Sequence, residues 1–232
     1  RLLGFGNYAG MVLGDRMADT VDKVTTFLKE LHEASHNAAL RDFQNVKEFA
    51  SAKGHKGELE RWDWAYYSEK LKKEKYDIDD ELLRSFFSLE NVQNAVFDLA
   101  GKLFGISFVK NEKIPVYHNE VRTWEVYDRD KKLLAILYLD YHPRPGKNGG
   151  AWMTSFRDQR IKEGNDIRPL ISIVTNFTRP TSSRPSLLTF TELTTFLHEF
   201  GHALHGMFSK CTYESLAGTN VARDFVELPS QL

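Results

Sequence analysis

The sequence predicts an α+β fold, mainly helical, and three observations carry that prediction. Apolar residues recur at helical spacing through positions 20–104. β-forming residues then cluster between 121 and 177, interrupted by Pro and Gly. A strongly apolar helical pattern returns from Glu192 to Phe208. The 232 residues suit one large domain or two small ones. The change of character near residue 105 suggests a helical part, 1–104, and a second part, 105–232.

Each element has a local reason. Thr20 is placed to cap a helix whose apolar positions are Val21, Val24, Phe27, Leu28 and Leu31. The pattern continues through Ala34, Ala38, Phe43, Val46 and Phe49 and stops near Gly54. That length predicts a coiled-coil-like arm or a kink. Trp62, Trp64, Tyr66 and Tyr67 open a second helix and are read as core packing, while Lys70, Lys72, Lys73 and Lys75 form its solvated face. Asp79 and Asp80 start a short third helix, and Leu89–Phe104 makes a fourth, closed by Gly105. Val121–Tyr127, the turn Asp128–Lys131 and Leu133–Leu139 form a β-hairpin, with Trp124 and Val126 on one face of its first strand. Ala151–Phe156 follows a Pro/Gly loop as an edge strand, and Leu170–Phe177 is another strand. Thr191 is expected to cap the last long helix.

Composition excludes several classes. Lys and Arg number 31 against 32 Asp and Glu, a net charge of −1 with His neutral. Binding to nucleic acid by bulk charge needs a basic excess, so no nucleic-acid partner is expected. No stretch nears the roughly 20 apolar residues of a membrane-spanning helix, so no membrane partner is expected either. Cys211 stands alone, which rules out an intrachain disulfide. The chain starts without Met at Arg1 and stops at Leu232 just inside a helix-like segment, so it reads as an internal piece of a longer protein.

The chemistry lies in His198-Glu199-Phe200-Gly201-His202. On a helix, residues four apart share a face, so both imidazoles can reach one ion. Two neutral imidazoles suit Zn²⁺. Glu199 is close enough to take a proton from an attacking water without ligating. The bland reading is a buried helix whose histidines are satisfied by hydrogen bonds. A metzincin continuation is excluded, because His205 and Phe208 stand where Gly and His should be. A third ligand must then be a carboxylate from a second element; Glu227, Glu214 and Asp224 all qualify on distance.

With His198–His205, the run Phe225-Val226-Glu227-Leu228-Pro229-Ser230-Gln231 and Gly149-Gly150-Ala151-Trp152-Met153, the chain resembles the thimet oligopeptidase and peptidyl-dipeptidase family of zinc metallopeptidases. The resemblance runs from Leu2 to Leu232, and Gly218-Thr219-Asn220 with Arg223-Asp224 is more similar to the bacterial peptidyl-dipeptidase branch. It implies a zincin-like core with a small sheet beside the metal-binding helices and a deep channel that admits short peptides. One Zn²⁺ per chain would be held by His198, His202 and Glu227, with Glu199 as general base. The implied activity is release of C-terminal dipeptides; the alternative is an oligopeptidase making internal cuts. The resemblance also implies a cytoplasmic location, and a monomer is expected. Substrate-binding Tyr and His residues of the family lie beyond Leu232, so this piece alone is expected to bind metal and catalyse poorly.

Other residues carry paired readings. His205 is either a group that orients a metal ligand or a core His bonded to backbone. Gly149, Gly150 and Ala151 lead into a strand that either binds peptide by backbone pairing or is a plain edge. Gly218 sits in a substrate-contacting loop or an ordinary connection. Two rival functions remain: a non-catalytic helical binding module with a decayed metal site, and a metal-dependent hydrolase of non-peptide substrates.

Overall fold

The structure, a computed structural model, describes residues 3–77 and 80–231. The chain divides into two compact units, Arg1–Asp79 and Asp80–Leu232. The division falls earlier than the 104/105 change of character, because the helix ending at Phe104 shares the core of the second unit.

The first unit holds α1 (Tyr8–Leu13), α2 (Val21–Ala52) and α3 (Arg61–Tyr76). Asn7 caps α1, and the Thr20 hydroxyl accepts the Lys23 N–H at the start of α2. α2 is one continuous helix of 32 residues. Of these, Val46 and Ala50 are buried. The aromatic residues of α3 depart from the core reading: Trp62 is 74% and Tyr66 57% exposed. Positions 62, 64, 66 and 67 spread around more than one face of a helix, so a single neighbouring helix cannot cover them all. Trp64 stacks on Phe43, and Tyr67 meets His55 edge-on.

The second unit opens with α4 (Asp80–Arg84) and α5 (Leu89–Phe104). Asp79 of the expected α4 start lies outside the described residues. Ser88 caps α5, and Gly105 closes it in the left-handed region at φ 71°. The sheet follows: β1 (Ser107–Lys110), β2 (Arg122–Tyr127), β3 (Leu133–Asp140), β4 (Trp152–Arg157) and β7 (Leu170–Val174). Between β4 and β7 lies a separate hairpin, β5 (Arg160–Lys162) and β6 (Asn165–Ile167). The strand order is β1-β2-β3-β7-β4, with β3 and β7 parallel and the other pairs antiparallel. β4 is therefore an edge strand. The last strand ends at Val174 rather than Phe177.

The helices α5 and α6 (Phe190–Met207) cover one face of this sheet. Phe97, Val96 and Ala100 of α5 meet Phe196, Phe200 and Ala203 of α6 over Val126, Leu137, Leu139, Ile171 and Ile173. Phe97 stacks on Phe108 of β1 and packs edge-on to Trp124. The opposite face is also covered: Val121, Thr123, Tyr138 and Asp140 are buried there. A strand buried on both faces shows no strict alternation, which explains the apolar run in β3. A 3₁₀ turn at Glu214–Leu216 and the short α7 (Leu228–Gln231) complete the chain.

Candidate metal centre

α6 begins at a capping box. The Thr189 hydroxyl accepts the Glu192 N–H, and the Glu192 carboxylate accepts the Thr189 N–H at 2.8 Å. The cap is thus Thr189, two residues before the expected Thr191. Glu192 also accepts the Thr178 N–H at 2.9 Å, which ties the helix start to the segment after β7. The face Phe196, Phe200, Ala203 and Met207 is buried in the core. That rotation brings His198 and His202 to one edge of the buried face, their ring centroids 4.9 Å apart and their planes nearly perpendicular.

Glu227 comes to them from a different element. The segment after Ala222 folds as successive turns, with Phe225 N–H to Ala222 and Leu228 N–H to Phe225 carbonyls, so Glu227 sits immediately before α7. One carboxylate oxygen, Oε2, lies 3.2 Å from His198 Nε2 and 3.0 Å from His202 Nε2. The Ser230 hydroxyl bonds both the Glu227 carbonyl, at 2.8 Å, and the same Oε2, at 3.1 Å. The three ligand atoms lie within 4.8 Å of one another and form the one such group among the described residues. Tetrahedral Zn²⁺ with bonds of about 2.0–2.1 Å sets its ligand atoms roughly 3.3 Å apart, and the two carboxylate–imidazole separations suit that ion. The outer side of the site is less complete: His202 Nδ1 is buried without a hydrogen-bond partner among the described residues.

Glu199 lies close to both histidines and to the Met153 backbone of β4, and it is buried. Burial pushes its carboxyl above the usual carboxylate range, against the pull of His198, His202 and the Met153 backbone. A raised carboxyl held beside a metal group suits a proton shuttle. The loop leading into β4 is held by Asp140 at the end of β3. Arg144 donates to both Asp140 oxygens, Lys147 to Asp140 and to the His142 carbonyl, and Tyr117 to Asp140. Burial alone would raise the Asp140 carboxyl, but these donors outweigh it and hold it at about 2. Asn176 then donates to the Asn148 and Gly150 carbonyls, which fixes Gly149, Gly150 and Ala151 ahead of the strand.

The remaining expected residues fall into place around this centre. His205 lines an apolar groove with Leu99, Leu103 and Leu204, and its Nδ1 is buried without a partner among the described residues. Burial and then the nearby His202 push it below the ordinary His range. Gly218 is buried against the back of α6: a Cβ there would stand 3.1 Å from Gly206 Cα, and its N–H donates to Ser209 Oγ. Glu214, a rival third ligand, is paired with Arg160 instead. Ser230 and Met153 were not singled out as contacts of the site. The Ser three positions after Glu227 is the signal that could have found the first.

A family model for peptidase family M3 matches residues 1–232. The chain belongs to peptidase family M3. This M3 chain is 40% identical over 232 residues to dipeptidyl carboxypeptidase of Escherichia coli (strain K12), covering all of this chain and 34% of that protein. It is 37% identical over 233 residues to oligopeptidase A of the same organism, again covering 34% of it. It is 41% identical over 240 residues to the probable cytosolic oligopeptidase A of Arabidopsis thaliana, covering 34% of that relative. The M3 chain thus spans about a third of the length of these curated relatives. Among the described residues, no helix is long and apolar enough to cross a membrane.

Proposed function

We propose that the protein of which this chain is part is a zinc metallopeptidase of short peptides. The observation that carries the reading is the convergence of His198, His202 and Glu227 on one point, with Glu199 one residue along the same helix. Those three side chains would hold the Zn²⁺. When bound, the ion supplies Lewis acidity, which acidifies water and polarises a peptide carbonyl. Glu199 accepts the proton of the attacking water and passes it to the leaving amine. Its place beside the Met153 backbone puts it next to the edge strand β4. A peptide laid along this edge would pair by backbone hydrogen bonds, which is why a peptide substrate is favoured over other hydrolysable groups.

Release of C-terminal dipeptides is the finer reading, supported by the name of the dipeptidyl carboxypeptidase relative. The oligopeptidase A relatives support internal cleavage as the alternative. Work as a cytoplasmic monomer belongs to the same proposal. A binding module with a decayed site is disfavoured by four site residues present together.

Zinc content and affinity, measured on this chain and on Glu227→Ala, test the proposal. One tightly held Zn²⁺ is expected. Loss of Glu227 is expected to weaken it by more than the roughly 10- to 100-fold that loss of an outer-sphere partner costs. A chain that binds no Zn²⁺, or a variant that binds as well as its parent, would count against the site as drawn.

A further inference from the structure

We infer that Gly201 is a positioning residue for the metal centre: the space left by its absent side chain lets α7 close on α6 so that Glu227 reaches both histidines. The inference rests on the zinc reading and adds to it the residue on which the site's assembly depends. Gly201 is fully inside α6, ten residues or more from its start, where helix propensity alone favours Ala. A Cβ at this position would stand 2.5 Å from the Pro229 carbonyl oxygen, 2.6 Å from Ser230 Cα and 3.1 Å from the Pro229 carbonyl carbon.

All three are backbone atoms, so no side-chain rotation relieves the contact. Gly206 of the same helix contrasts with it: a Cβ there would meet Ile171 Cδ1 at 2.8 Å, the tip of a flexible side chain. At Gly201 the turn of α7 must retreat as a body, by at least about 0.5 Å to reach even 3.0 Å from the carbonyl oxygen. Ligand constellations are held to within about 0.5 Å of their working geometry. The retreat would pass to Glu227 by two routes. Glu227 lies two residues before Pro229, and Ser230, the other clashing residue, holds the Glu227 carboxylate by its hydroxyl.

The test is a double-mutant cycle on the full chain: the parent, Gly201→Ala, Glu227→Ala and the double variant. Zn²⁺ affinity is measured by competition, with the visible spectrum of the Co²⁺-loaded protein as a second readout. Gly201→Ala is expected to weaken Zn²⁺ by about 10-fold or more and to shift the Co²⁺ spectrum toward that of Glu227→Ala. The double variant is expected to bind within about twofold of Glu227→Ala, because a residue acting only through Glu227 has nothing left to act on. Helical ellipticity should stay at the parental level. Parental affinity in Gly201→Ala would overturn the inference. So would an equal further loss in the Glu227→Ala background, which would place the effect on the histidines, or a loss of ellipticity, which would place it on the fold. A parent chain that binds no Zn²⁺ would remove the zinc reading and this inference with it, a result distinct from failure of Gly201→Ala alone.

Discussion

Two carboxylates meet at this centre, and their surroundings suit them to the different work proposed for each. Glu227 has a side chain 59% exposed, yet its Oε2 is held by Ser230 and directed at two imidazoles. Glu199 is buried and raised above the usual carboxylate range, burial being the main cause. Glu199→Gln should therefore leave Zn²⁺ affinity intact. In the longer protein it should lower the hydrolysis rate by roughly 10²- to 10⁴-fold, read by parallel metal titration and peptide assay. Ser230→Ala should do the reverse, lowering Zn²⁺ affinity about 10-fold by freeing the Glu227 carboxylate, as metal competition would show. The spacing of His198 and His202 is written in the sequence because a helix converts four residues into one face. Glu227 was not separable there from Glu214 and Asp224, since distance along the chain does not say where a turn points. In the fold Glu214 is engaged with Arg160, and Glu227 faces the imidazoles. The Gly201 and Ser230 contacts with the last turn were invisible for the same reason: they are set by how two elements approach.

Elements with strong local chemistry were legible, and those relying on tertiary context were not. The capped helices α2 and α5, the hairpin β2–β3 and the edge strand β4 fall close to their expected ranges. The hairpin β5–β6 was missed because its turn is Glu163-Gly164, at φ 51° and 78°, where Asn-Gly or Asp-Gly is the usual signal. The four-residue β1 is too short to show a period. The loop between β3 and β4 depends on Asp140, whose side chain is 2% exposed beside Lys147 at 4%. Asp140→Asn leaves two cations short of their partner and should cost about 3 kcal/mol, measurable as a lower urea midpoint at neutral pH. The sign of the pH dependence follows from the direction of the shift. The folded value of about 2 lies below the ordinary 3.8, so the unfolded chain binds the proton first as pH falls. The stabilisation, roughly 2 kcal/mol, is present above about pH 4 and is lost as pH falls through 2. Urea titrations across that range should show the gap between parent and Asp140→Asn narrowing.

At the scale of the whole chain, every residue of the metal centre and all its supporting contacts lie within Asp80–Leu232. None of the described residues of the helical unit before it belongs to the ligand group. Its surface also explains why aromatic content was a poor guide to its core: α2 exposes Phe27, Leu28 and Leu31, each more than half accessible. Apolar spacing told of a helix, but spacing cannot tell whether anything stands opposite its stripe. The site has a consequence for the mechanical integrity of the second unit. His202 and Glu227 are 25 positions apart in the chain, and the carboxylate is presented just before a four-residue helix that has no buried residue. An ion shared between them would act as a reversible cross-link, closing a loop that the unfolded chain would leave open. At a free Zn²⁺ concentration about 100 times the dissociation constant, that clasp would add about 2.7 kcal/mol to the folded state. A chelator should therefore lower the unfolding temperature of the second unit, because the ion would fasten the Glu227 segment to α6.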